Sequence, residues 1–106
     1  MLKGISIDQR VEYSSPTDTG DVKTVFVLRP LSGAEMFDLF DITTGALKLD
    51  SVGVKALLNK AVVEVRDFDG ETNVSKIIDM LPTRVLIDLV TETSSLNTLD
   101  GEEAKN

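Results

Sequence analysis

The chain has 106 residues, 18 of them acidic and 11 basic, and its net charge of −7 repels phosphate backbones and anionic membrane surfaces. It holds no histidine and no cysteine, which removes Ser-His-Asp and Cys-His nucleophile systems, thiolate zinc sites, imidazole proton shuttles and disulfides. The length fits one domain with a modest aliphatic core, and neither nucleic acid nor a membrane is an expected partner.

The first ten residues, MLKGISIDQR, contain no apolar run of the kind that heads a secreted protein, so a soluble, intracellular chain is expected. Ile5, Ile7, Val11 and Tyr13 alternate with polar residues between them, the pattern of a half-buried strand. The turn formers of SSPTDTGD, residues 14–21, predict a loop, and VKTVFVL, residues 22–28, predicts a second strand that folds back as a β-hairpin.

RPLSGAEMFDLF carries the sharpest local signal. Ser32 and Glu35 have the spacing of a capping box, in which each side chain accepts from the other residue's backbone N–H. Leu31 and Met36 stand at the positions of a hydrophobic staple, and Pro30 closes the strand before them. A helix is expected from Gly33, with Met36, Phe37 and Phe40 on one face as a candidate partner surface. Thr43, Thr44 and Gly45 break it, while Ala46, Leu47 and Leu49 could make a short apolar contact.

Asp50 or Ser51 caps a second helix whose Val54, Leu57, Leu58 and Ala61 have helical spacing, although Gly53 costs about 1 kcal/mol against alanine. A third strand follows at residues 62–68, with Val63 and Val65 alternating against Glu64 and Arg66. It runs into DFDGETN, residues 67–73. Placing Gly70 at the sixth position of a calcium-binding loop puts Val65 at the first ligand position and Lys76 at the closing one, where oxygen ligands are required. The stretch is therefore expected to turn the chain at Asp69-Gly70.

Residues 74–80 fit either a short strand or a helical turn, and Pro82 suits the first turn of the longest helix. There Val85, Leu86, Leu89 and Val90 form an apolar stripe extended by Thr93 and Leu96, with Arg84, Asp88 and Glu92 facing away. Most of that stripe is expected in the core, with Leu86, Leu89 and Val90 as further candidates for contact with a partner. The expected fold is α+β: an N-terminal β-hairpin plus a third strand, packed with three or so α-helices. Residues 1–98 form the domain and 99–106 a short acidic tail.

Carboxylate pairs are the remaining raw material for catalysis. Asp38 with Asp41, Asp67 with Asp69 and Glu102 with Glu103 all fall at helix ends, a turn or the tail, where a solvated face is expected. The glycines are isolated and build no phosphate-binding loop. No catalytic residue, cofactor or metal ligand is assigned, and the chain is expected to act by contact.

The order of these motifs resembles the small tail assembly chaperones of long-tailed bacteriophages. The resemblance rests on Leu28, Arg29, Pro30, Leu31, Ser32 and Glu35, then on Val65, Phe68, Asp69 and Gly70. It continues through Leu81, Pro82, Ser95, Leu96, Leu99, Glu102, Lys105 and Asn106. The tryptophan frequent in that family before the Asp-Gly turn is absent here. The resemblance implies a non-enzymatic protein of the host cytoplasm that binds the tape measure protein during tail morphogenesis, with the tail-tube protein and further copies of itself as other partners. The alternative is a structural virion protein, such as a tail-tube, tail-completion or head-tail connector component, joined to its neighbours by strand addition at the edge between Ile5 and Tyr13.

Overall fold

The computed structural model describes residues 4, 6–41, 43, 46–47 and 50–105, and at 40–41, 46–47 and 98–105 it describes the backbone. In chain order the elements are β1 (Val11–Tyr13), β2 (Val25–Leu28), α1 (Gly33–Phe37), β3 (Phe40–Asp41), β4 (Ala46–Leu47), α2 (Ser51–Ala61), β5 (Val62–Arg66), α3 (Val74–Met80) and α4 (Thr83–Lys105). The fold is α+β, with β1, β2 and β5 in one antiparallel sheet, β3 and β4 in a small hairpin, and helices on one face of the larger sheet. The expectations placed on Ile5, Thr44, Gly45, Leu49 and Asn106 lie outside the described residues.

Register explains which side chains enter the core. Val11 lies opposite Leu28 and Leu28 opposite Val62, while Tyr13, Phe26 and Val65 form the next row on that face. Val62 and Val65 are three positions apart, an odd spacing that a regular strand would send to opposite faces. A bulge between Val27 and Leu28 on the facing strand's register absorbs the extra residue, so both valines reach the core and Val63 is left 40% exposed. The alternation expected of Val63 with Val65 is thereby broken. On the opposite face Arg66 donates to Glu64 and reaches across the middle strand to Glu12, at 2.7 and 2.5 Å.

Both strands of the predicted hairpin are shorter than their apolar patterns suggest. Ile7 sits in a turn and is exposed, so the first strand begins at Val11. Val22 is also exposed, because the Asp18 carboxylate accepts from the Gly20 and Thr24 N–H groups and holds the chain in the loop up to Thr24.

At α1 the capping box forms as expected: the Glu35 N–H donates to Ser32 Oγ at 3.1 Å, and the Ser32 N–H donates to Glu35 Oε1 at 3.0 Å. Glu35 also takes a two-pronged bond from Arg29, at 2.9 and 2.6 Å. The helix then stops after five residues. Leu39 has turned into an apolar cluster with Leu31, Leu57 and Ala61, against which Met36 also packs, and Phe40 pairs with Leu47 in the β3–β4 hairpin. Met36, Phe37 and Phe40 therefore do not share a helix face.

The Arg29 guanidinium, followed by the Ser32 N–H, holds the Glu35 carboxyl down at about 2. Because its folded value lies below its unfolded one, the stabilisation is complete above pH 4.5 and drains away as pH falls toward 2. With Glu35 partly open to solvent, the amount is on the order of 1–2 kcal/mol. Urea titrations between pH 6 and about 2.5 will show that slope in the native chain and a flatter one in Glu35→Gln; equal slopes would remove Glu35 as the cause.

α2 and α3 also start on a side-chain acceptor. Asp50 Oδ1 accepts from the Gly53 N–H at 2.8 Å, and Asn73 Oδ1 from the Lys76 N–H at 3.1 Å, which settles residues 74–80 as a helix. DFDGETN thus turns a strand into a helix. Asp67 and Gly70 both have positive φ, 58° and 81°, and Glu71 accepts from the Thr72 and Asn73 N–H groups. The continuation of α4 to Lys105 takes in the stretch expected as a tail.

The sheet face, α2, α3 and α4 enclose Phe26, Leu28, Leu58, Ile77, Ile78 and Leu89, all nearly inaccessible. Asn97 ties α4 to the segment before α1, its amide donating to the Leu31 carbonyl and accepting from the Leu31 N–H. Among the described residues one buried side-chain group goes unsatisfied: the Thr93 hydroxyl has no hydrogen-bond partner. Thr93→Val keeps the shape and removes that polar atom, so it will raise stability by about 1 kcal/mol in denaturant titrations. A loss of stability would mean that the hydroxyl is bonded in solution.

Candidate functional site

A groove of about 480 Å³ runs between the N-terminal halves of α2 and α4. The Asp50 cap fixes where α2 begins, and Pro82, whose carbonyl accepts from the Leu86 N–H, starts α4 beside it. Val54, Leu86 and Val90 are half-buried, with one side against the core and the other lining the groove. Ile87 lines it too and is 49% exposed. Among the described residues its polar side chains are Ser51, Thr83 and Thr91, and none that lines it is charged. Such a surface binds by burying apolar area, at roughly 25 cal/mol per Å² removed from water.

The sequence-predicted contact residues separate into three groups. Leu86 and Val90 are brought together in this groove. Leu89 is wholly buried in the core, where only folding uses it. Of the α1 set, Met36 is half-buried against the second apolar cluster, Phe37 is 63% exposed, and Phe40 lies in β3. Ile87 and Val54 are the lining residues that stripe reading passed over. An isoleucine on the polar side of an otherwise well-formed stripe was the available signal for the first, and nothing local distinguishes Val54 from the core residues of its helix.

Asp88 does not face away from the molecule. Its Oδ2 accepts from Ser15 Oγ at 2.6 Å and Thr17 Oγ1 at 2.9 Å, bonds that hold its carboxyl below the ordinary range. Burial, and then the charges of Asp88 and Glu92, push the nearby Tyr13 phenol up. Among the described residues no three acidic side chains are grouped to hold a metal ion, and no helix is long and apolar enough to cross a membrane.

Comparison of the chain with protein-family models, with curated proteins and with solved structures finds no match. The functional reading therefore stands on the motifs and on the groove.

Proposed function

We propose that this protein is a non-enzymatic chaperone of bacteriophage tail assembly, which binds the tape measure protein in the host cytoplasm before the tail tube polymerises around it. The observation that carries the reading is the groove between α2 and α4, whose described lining is apolar and uncharged. A groove bounded by two helices accepts the apolar ridge of a third, whose side chains recur every three to four residues. A long helical client offers many such ridges, all prone to aggregate until covered. The chain's net charge of −7 opposes self-association of the covered complex.

The motif resemblance points to the same client and to the tail-tube protein as the partner that displaces the chaperone. Five carboxylates have structural work: Glu35, Asp50 and Glu71 accept from backbone N–H groups at helix starts and a turn, and Asp18 and Asp88 hold a loop.

Co-expression with the tape measure protein tests the reading. The soluble fraction of the client will rise several-fold, and the chaperone will be present in infected-cell lysate and missing from purified particles. A client whose solubility does not change would end the proposal, and stoichiometric recovery from particles would favour a structural virion subunit instead.

A further inference from the structure

Two aspartates in the chain are followed directly by glycine, Asp69-Gly70 and Asp100-Gly101. Such a pair is open to rearrangement, because a residue without a β-carbon leaves its backbone nitrogen unhindered for attack on the aspartyl side-chain carbon. The attack needs a carboxyl with no partner, a glycine N–H with no partner, and a backbone outside the helical ladder.

Asp69-Gly70 meets all three conditions. Asp69 is exposed in the turn between β5 and α3, and among the described residues its carboxylate accepts no hydrogen bond and pairs with no cation. The Gly70 N–H has no hydrogen-bond partner there either. Gly70 stands at φ 81°, and beyond its chain neighbours no atom lies within 4 Å of where a Cβ would be. Comparable side chains elsewhere are held. Asp18 accepts from the Gly20 and Thr24 N–H groups, Asp50 and Asn73 cap α2 and α3, and Asn97 bonds both main-chain groups of Leu31. Gly101 lies within α4, where backbone N–H groups are committed to the helix.

We propose that Asp69 is a site of spontaneous isomerisation to isoaspartate, through a succinimide formed with the Gly70 nitrogen. The nitrogen bonds to Asp69 Cγ as its own proton and the hydroxyl of the carboxyl group leave together as water. Water then adds to the main-chain carbonyl carbon of Asp69, the bond from that carbon to nitrogen breaks, and the chain continues through Cγ. One water leaves and one enters, so the mass is unchanged. The product has one more main-chain carbon in the link from β5 to α3, the helix that places Ile77 and Ile78 in the core. Asp69 does not line the α2–α4 groove, so the site is independent of the client.

Incubating the full chain for weeks at neutral pH and physiological temperature, natively and in concentrated urea, followed by tryptic mapping, tests the site. Cleavage after Arg66 and Lys76 releases residues 67–76, and cleavage after Arg84 and Lys105 releases residues 85–105, so the two Asp-Gly pairs are read apart. Isoaspartate is detected as an isomer of equal mass and shifted retention, and by methyl transfer from a protein-isoaspartate methyltransferase. In the native chain it will accumulate in residues 67–76 within about threefold of the rate in urea, and in residues 85–105 on the order of tenfold more slowly than in urea. Asp69→Glu keeps the charge but requires a six-membered ring, and it will remove the product from residues 67–76. Protection of Asp69 in the native chain beyond about threefold would overturn the proposal. Product that persists in Asp69→Glu would overturn it by placing the reaction at Asp67, and equal native rates in the two peptides would show that the fold does not select the site.

Discussion

If the α2–α4 groove holds the proposed client, Ile87→Asp will weaken that binding at least roughly thirtyfold and leave the fold as it was. Ile87 is 49% exposed on the free chain, so an aspartate there stays hydrated until a partner helix covers it. On complex formation that carboxylate would enter a groove with no cation among its described lining residues, and hydroxyls alone do not compensate a buried charge. Truncations at the centre of an interface cost 2 kcal/mol or more, and an uncompensated charge exceeds that, so affinity will fall by at least roughly thirtyfold. Stability will move by no more than about 0.5 kcal/mol, as for other surface substitutions. Calorimetric titration with a soluble fragment of the tape measure protein reads the first quantity and thermal melting the second. Undiminished affinity would move the binding face elsewhere; no affinity in the native chain would remove the client.

Phe26→Ala has the opposite character: it will cost about 3–5 kcal/mol of stability. Phe26 is 2% exposed, stands between Tyr13 and Val65 in the register of the sheet, and belongs to the same cluster as Ile77, Val85 and Leu89. Its loss leaves a cavity at the junction of sheet and helices, next to the open pocket that borders the β1–β2 loop. A domain of this size holds roughly 5–15 kcal/mol in all, so the variant will melt on the order of 15 °C lower and be partly unfolded at physiological temperature. Urea titration should place the midpoint far lower with an unchanged slope. A cost below about 1 kcal/mol would mean that the sheet and helices do not meet over this ring.

The sequence allowed some parts of the fold to be read directly. Ser32 with Glu35 identified the start of α1, Asp50 or Ser51 the start of α2, where the cap is Asp50, and Asp69-Gly70 a turn, because each of these signals acts over three or four residues. The end of α1 was not legible in the same way. Apolar spacing continues through Phe40, yet the helix stops at Phe37 because Leu39 is drawn to Leu57 and Ala61 of another helix. The same limit applies to Asp88, which a helical wheel places among solvated residues and which the loop, far away in sequence, encloses.

Composition and local spacing determined, without any structure, that imidazole and thiol chemistry are absent, that the chain is a mixed α+β domain, and where its first helices begin. Tertiary structure decided which members of one apolar stripe stay available to a partner. Leu86, Leu89 and Val90 are equivalent in hydropathy and share one helix, but Leu89 is sealed beneath the sheet while its neighbours line an open groove with Ile87. The reason is that caps and turns are satisfied by atoms a few bonds away, whereas exposure is set by whichever distant element packs on top.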